Sequence, residues 1–169
     1  MLSNYTRNFI IISFISILVS RLLPLPPNFT STIAIAFYIP ALFGYRFIAV
    51  ALAAFILSDL ILGLHNLLLF TWGSLLFISL FSKFFKNYYY RIGGVILSCL
   101  IFYLVSNFGV WLFSEIYTHD IEGITLCYLM ALPFFQNSIV SSLIISVVVE
   151  ILLSISFFKN LVVKVNPSY

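Results

Sequence analysis

Six apolar runs, at roughly 9–23, 29–44, 48–64, 67–85, 92–113 and 139–158, take up most of this 169-residue chain and leave only short connections between them. Runs of that length and apolarity are what a ~30 Å hydrocarbon core selects, because a helix satisfies its own backbone N–H and C=O groups without water. Composition closes the other routes. With 63% hydrophobic and 8% charged residues and a mean hydropathy of +1.17, the chain has too little polar surface to cover a water-soluble globule. The expectation is an all-α polytopic membrane protein of six transmembrane helices, forming one domain over residues 1–169 in a lipid bilayer.

The basic residues orient it. A membrane drawn through those runs puts Arg7, Arg46, Lys83, Lys86, Arg91, Lys159 and Lys164 on one side, seven of the eight basic residues. Only Arg21 falls opposite, with Glu115, Asp120 and Glu122. By the positive-inside rule both termini are cytoplasmic, and the segments around Pro24, His65 and Asp120 face outward. The net charge of +3 reflects this loop bias. Its bases are spread over four segments, without the clustering that phosphate tracking needs, so nucleic acid is not an expected partner. Arg7 followed by Phe9 to Val19 has the order of a secretory signal, but no small-x-small cleavage site follows. Arg21 and Pro24 close the run instead, and it reads as a retained helix. Cys99 and Cys127 lie at very different depths, which argues against a disulfide.

The punctuation between the runs places the polar groups. Pro24, Pro26 and Pro27 forbid continuous helix and form a rigid outer elbow, after which Asn28 or Thr30 can cap the second helix. Pro40 kinks the second span. Ala49 and Ala53, with Ala51 and Ala54, permit close approach on the third, a face expected to pack against protein. Between the last two spans, Ile124 to Phe135 is apolar yet too short to cross. It reads as a short interfacial or re-entrant outer helix ended by Pro133 and Gln136-Asn137, acting as a lid or as a packing brace.

Two ionisable residues lie within the spans, where each needs a partner or water. Asp59 stands at a depth similar to that of Arg21, and an Arg21–Asp59 ion pair beneath the outer mouth is the natural solution. It would either pin two helices or contact a ligand. Glu150 has Ser146 and Ser154 one turn to either side. It reads as a hydroxyl-bonded carboxyl, with a proton-coupling role as the alternative. His65, in Gly63-Leu64-His65-Asn66, has no companions for a metal site; it is an interfacial hydrogen-bonding residue or a single axial ligand to a metal held in a macrocycle. Tyr103, Asn107 and Trp111 share one helix face by steps of four, which makes either ordinary packing or a wall for a flat ligand. Tyr88, Tyr89 and Tyr90 form an aromatic belt. No nucleophile elbow, metalloprotease helix or phosphate loop is present, so no enzyme and no cofactor are expected.

The stretches Arg21-Leu-Leu-Pro-Leu-Pro-Pro-Asn-Phe29, Ser58-Asp-Leu-Ile-Leu-Gly-Leu-His65, Asn107-Phe-Gly-Val-Trp-Leu112 and Ala131-Leu-Pro-Phe-Phe-Gln-Asn137 resemble a family of small bacterial membrane proteins. That family is similar to the substrate-binding S components of energy-coupling-factor vitamin transporters, particularly the solitary cobalamin-uptake type. The resemblance implies a multi-pass protein of the bacterial cytoplasmic membrane that takes up a vitamin-like compound such as a corrinoid. S components that dock on a shared coupling subunit resemble one another in an alanine motif on the first helix, where this chain offers Ser13, Ser16 and Ser20; that favours a solitary protein. The candidate ligand contacts are Arg21, Asn28, Asp59, His65, Asn107, Trp111 and Asn137, with His65 as an axial ligand to a corrinoid cobalt. The alternative is a non-catalytic accessory subunit, in which the same residues meet partner subunits of a larger membrane complex.

Overall fold

A computed structural model of the chain describes residues 4–166, and within them the apolar runs are helices with no strand. In chain order these are α1 (Asn4–Leu22), α2 (Thr32–Phe43), α3 (Ile48–Leu62), α4 (Leu68–Phe81), α5 (Tyr88–Phe113), α6 (Ile121–Ser154) and α7 (Ser156–Val165). Short 3-10 turns at Tyr45–Phe47 and Ser82–Phe84 lead into α3 and out of α4. Four segments are long and apolar enough to cross a membrane: Asn4–Leu22, Tyr45–Leu62, Tyr88–Phe113 and Ile121–Ser154. Thr32–Phe43 and Leu68–Phe84 are apolar but shorter.

The short α2 is the hub. It packs against α1, α3, α4, α5 and α6, and eleven of its twelve residues are buried. A helix apolar all round belongs in an interior. Twelve residues at ~1.5 Å rise reach roughly 18 Å, so α2 stops well short of a full crossing. Its missing outer turns are the elbow, where Asn28 takes a left-handed conformation (φ 62) that asparagine tolerates better than most residues. The Thr32 N–H approaches Thr30 Oγ1 at 3.4 Å, as a capping threonine would. Asn28 makes no such bond. The helix is preceded by Ser31, whose hydroxyl meets Ser16 and Ser20 of α1 at 3.1 Å each.

On α3 the buried stripe is Ala51, Ala54, Phe55, Ser58 and Asp59, related by steps of three and four. Ala49 and Ala53 are exposed, which corrects the expected small-residue face. The interface uses the neighbouring alanines, because Asp59 must turn inward and sets the rotation of the helix. Gly63 ends α3 at φ 108, a conformation that costs an L side chain dearly and explains the glycine before Leu64-His65. On α5, a Cβ added at Gly109 would lie 2.6 Å from the Phe70 ring of α4. The glycine of Asn-Phe-Gly-Val-Trp is there so that two helices can meet.

The separate outer helix expected over Ile124 to Phe135 does not form as such. Residues 121–154 are one continuous helix, with Pro133 inside it. A proline removes a single backbone hydrogen bond, and here flanking turns absorb it. Gln136-Asn137 does not break the helix either, because Asn137 Nδ2 donates to the Pro27 carbonyl at 3.0 Å and ties α6 to the elbow. At ~1.5 Å per residue α6 runs roughly 51 Å, beyond a ~30 Å core, so part of it stands outside the hydrocarbon or tilts strongly. Asp120 caps its start: Oδ1 accepts from the Gly123 N–H at 2.7 Å and the Thr118 hydroxyl at 2.8 Å. These donors hold the Asp120 carboxyl below the usual aspartate range.

Basic side chains gather at one end. Arg46 Nη2 donates to the Val165 carbonyl at 2.8 Å, the Lys83 ammonium lies 5.2 Å from the centre of the Tyr45 ring, and Phe9 near the start of α1 packs on Phe43. The start of α1 and the end of α7 therefore share the end that also holds Arg46 and Lys83. The first and last three residues of the chain lie outside the described residues. The elbow, the 63–67 turn and the 114–120 connection share the opposite end.

Candidate ligand site

Arg21, in the last turn of α1, and Asp59, near the end of α3, form the ion pair that their depths predict, Nη2 against Oδ1. Asp59 is only 1% exposed. Its second oxygen accepts from Trp72 Nε1 of α4 at 2.7 Å, so the carboxylate is shared between two helices. The Arg21 guanidinium also lies over the Phe55 ring, 3.8 Å from its centre. Its Nε is buried and has no hydrogen-bond partner among the described residues.

In front of this pair is a cavity of about 490 Å³, walled by Arg21, Asn28 and Phe55 on one side and by α5 and α6 on the other. His65, Leu67, Thr71 and Tyr117 complete its rim. A smaller chamber of about 190 Å³ adjoins it, sharing Arg21, Asn28, Phe55 and Phe102 and adding Thr30, Thr32 and Ser138. The size of the larger cavity and its mix of apolar walls with a few convergent polar groups are those of a small-molecule site. The helices position it by simple periodicity. Phe102, Ser106 and Val110 are four apart on α5, and Cys127, Met130, Ala131 and Phe134 form an i, i+3, i+4, i+7 stripe on α6. That stripe requires α6 to be continuous through Pro133.

Of the seven candidate contacts, Arg21, Asn28, His65 and Asn107 line the cavity, and three do not. Asp59 stands behind Arg21 as its partner. Asn137 is spent on the Pro27 carbonyl. Trp111 donates from Nε1 to the Thr118 carbonyl at 2.9 Å and packs on Phe108 and His119, bracing the outer connection. The wall expected from Tyr103, Asn107 and Trp111 is likewise divided. Tyr103 donates to the Tyr128 carbonyl at 2.6 Å and lies against Phe135, so it packs between α5 and α6. The cavity face of α5 is turned by one residue, and Phe102, which supplies its aromatic surface, lay next to the residue that spacing had singled out.

His65 has a defined role in hydrogen bonding. Its Nδ1 accepts the Leu67 N–H at 3.1 Å, so the proton of the neutral ring resides on Nε2. The imidazole thus presents an N–H donor and not the lone pair that a corrinoid cobalt would need.

A second polar centre lies at the basic end. Glu150, one turn from the end of α6, receives Arg91 Nε and Nη2 at 2.6 Å each and the Tyr38 hydroxyl at 2.9 Å. This corrects the expected serine partners. The Ser146 and Ser154 hydroxyls donate to the carbonyls of Ser142 and Ile151 on their own helix, an option always open to a helical serine. Arg91, which lies outside the apolar runs of the sequence, is a 5% exposed residue of α5. No group of three or more His, Cys, Asp or Glu side chains that could hold a metal stands together among the described residues.

These features define an all-α membrane protein with a polar-edged cavity at the end opposite Arg46 and Lys83. A family described as one of unknown function, DUF6580, matches residues 3–161, and the chain belongs to that family. No curated protein and no solved structure matches it.

Proposed function

We propose that this chain is a substrate-binding membrane transport protein of the bacterial cytoplasmic membrane, with the cavity facing outward and serving the uptake of a small vitamin-like compound. Six membrane-embedded segments with both termini in the cytoplasm complete this reading. The single observation that carries it is the cavity of about 490 Å³. An accessory subunit that used the outer motifs for intersubunit contact would have no need of a void there. The resemblance of those motifs to proteins akin to vitamin-transporter S components supports the same reading. A corrinoid belongs in the set of candidate ligands, although it would need His65 turned over or a different axial donor. The test is purification in mild detergent without added ligand, followed by mass identification of what accompanies the protein. A retained small molecule, or retention of one compound from a vitamin panel including cobalamin, is the expected result. A stoichiometric protein partner with no ligand retained would establish the accessory subunit instead.

A further inference from the structure

We infer that the compound this cavity takes is a small organic anion, bound through a carboxylate that accepts hydrogen bonds from Arg21 and from His65 Nε2; this rests on the transport reading above. The lining contains no carboxylate of its own. The nearest, Asp59, has one oxygen on Arg21 and the other on Trp72 and is closed off from the cavity. A cationic ligand would therefore lose its hydration without gaining a counter-ion.

Donors are in surplus. Arg21 uses only Nη2 on Asp59 while its guanidinium lines both chambers, an arrangement that leaves further N–H donors of the group for an incoming oxygen. The Arg21–Asp59 pair is neutral as a whole, but it is oriented with Asp59 inward and the guanidinium at the cavity wall. It presents its positive end to the ligand. His65, fixed as an Nε2–H donor by Leu67, adds a directional group from the 63–67 turn. The Phe102 and Phe134 rings face the remainder of the same space and suit an apolar body. A carboxylate here accepts charge-assisted hydrogen bonds that the matching amide cannot reproduce.

The experiment uses the full chain in phosphatidylcholine nanodiscs and matched labelled probes: biotin with biotinamide, nicotinate with nicotinamide, pantothenate with pantothenol, and thiamine as a cation. For the pair that is retained, the acid should bind at least ~tenfold more tightly than its neutral partner, the expected scale for one charge-assisted contact. His65→Ala, at an exposed turn, should narrow that preference while leaving thermal stability near wild type. Arg21→Lys, which keeps a cation for Asp59 but removes the fork, should narrow it further. Equal retention of acid and amide, or preference for thiamine, overturns the anion assignment and leaves the transport reading standing. Loss of acid binding when phosphatidylglycerol replaces part of the lipid would assign the site to an anionic lipid and overturn the proposal. Retention of none of the probes, with cobalamin also unbound, would remove the transport reading and this inference together.

Discussion

Glu150 accepts two parallel hydrogen bonds from Arg91, Nε to Oε1 and Nη2 to Oε2, each 2.6 Å long, joining residues 59 apart in sequence. The fork geometry is the strongest form of an arginine–carboxylate contact, and Tyr38 adds a third donor from the central helix. One carboxylate thereby ties α2, α5 and α6 together at the basic end of the molecule.

Removing one charge of that cluster should be worse than removing both. Glu150→Gln leaves Arg91 uncompensated and is expected to lose ~3–5 kcal/mol, whereas the double change with Arg91→Gln should recover a substantial part of it. Tyr38→Phe should cost less, about 1.5–3 kcal/mol, the usual value of a hydrogen bond to a charged group. Denaturant unfolding in a fixed detergent compares wild type with Glu150→Gln, Arg91→Gln, their double variant and Tyr38→Phe, and strictly additive losses for Arg91→Gln and Glu150→Gln would contradict the pairing.

The same logic applies at the cavity end, with one addition. Asp59→Asn should destabilise more than the double change with Arg21→Gln, because the single variant leaves a half-buried cation without its carboxylate. Trp72→Phe frees the second Asp59 oxygen, and its effect should shrink in the Asp59→Asn background. A Trp72 effect that is unchanged there would show that the indole stabilises by packing alone.

The orientation follows from the seven-to-one division of basic residues. Cysteines placed at Asp120 and at Asn87, with Cys99 and Cys127 replaced by alanine, should react with an impermeant thiol reagent from opposite faces of sealed cells or inverted vesicles. Both sites labelling from one face would contradict the proposed arrangement of spans.

The cap at Asp120 predicts a pH dependence. Donors from Gly123 and Thr118 lower its pKa below the ordinary value near 3.8, so the unfolded chain holds the proton more tightly than the folded one. The stabilisation is therefore complete above about pH 5 and is lost as pH falls through the lower folded value. Asp120→Asn should flatten that acid limb, read as hydrogen exchange of the first amides of α6 from about pH 5 to about pH 3, a window that spans the ordinary value of 3.8. An unchanged acid limb in the variant would show that the cap does not titrate there.

The membrane class, the apolar segments and the Arg21–Asp59 pair were legible in the sequence, because hydrocarbon imposes one dominant rule. A charge at membrane depth needs a partner, and Asp59 had a single candidate at its own level. Continuity of α6 was not legible. Pro133 and Gln136-Asn137 look like an end locally, but a proline removes one bond, and Asn137 found its partner in Pro27, 110 residues earlier.

What the sequence by itself determined is the apolar, all-helical character of the chain and the gathering of most basic residues toward one end, both functions of distance along the chain and of transfer free energy. Only the tertiary structure decided how each helix is rotated. In lipid both faces of a helix are apolar, so hydrophobic periodicity carries little information about which face meets protein, and interlocking contacts decide it. That is why α5 turns Phe102, Ser106 and Asn107 to the cavity and Tyr103 to α6, why Ala51 and not Ala49 is buried, and why Glu150 found Arg91 on the adjoining α5 when its own serines bonded to the backbone.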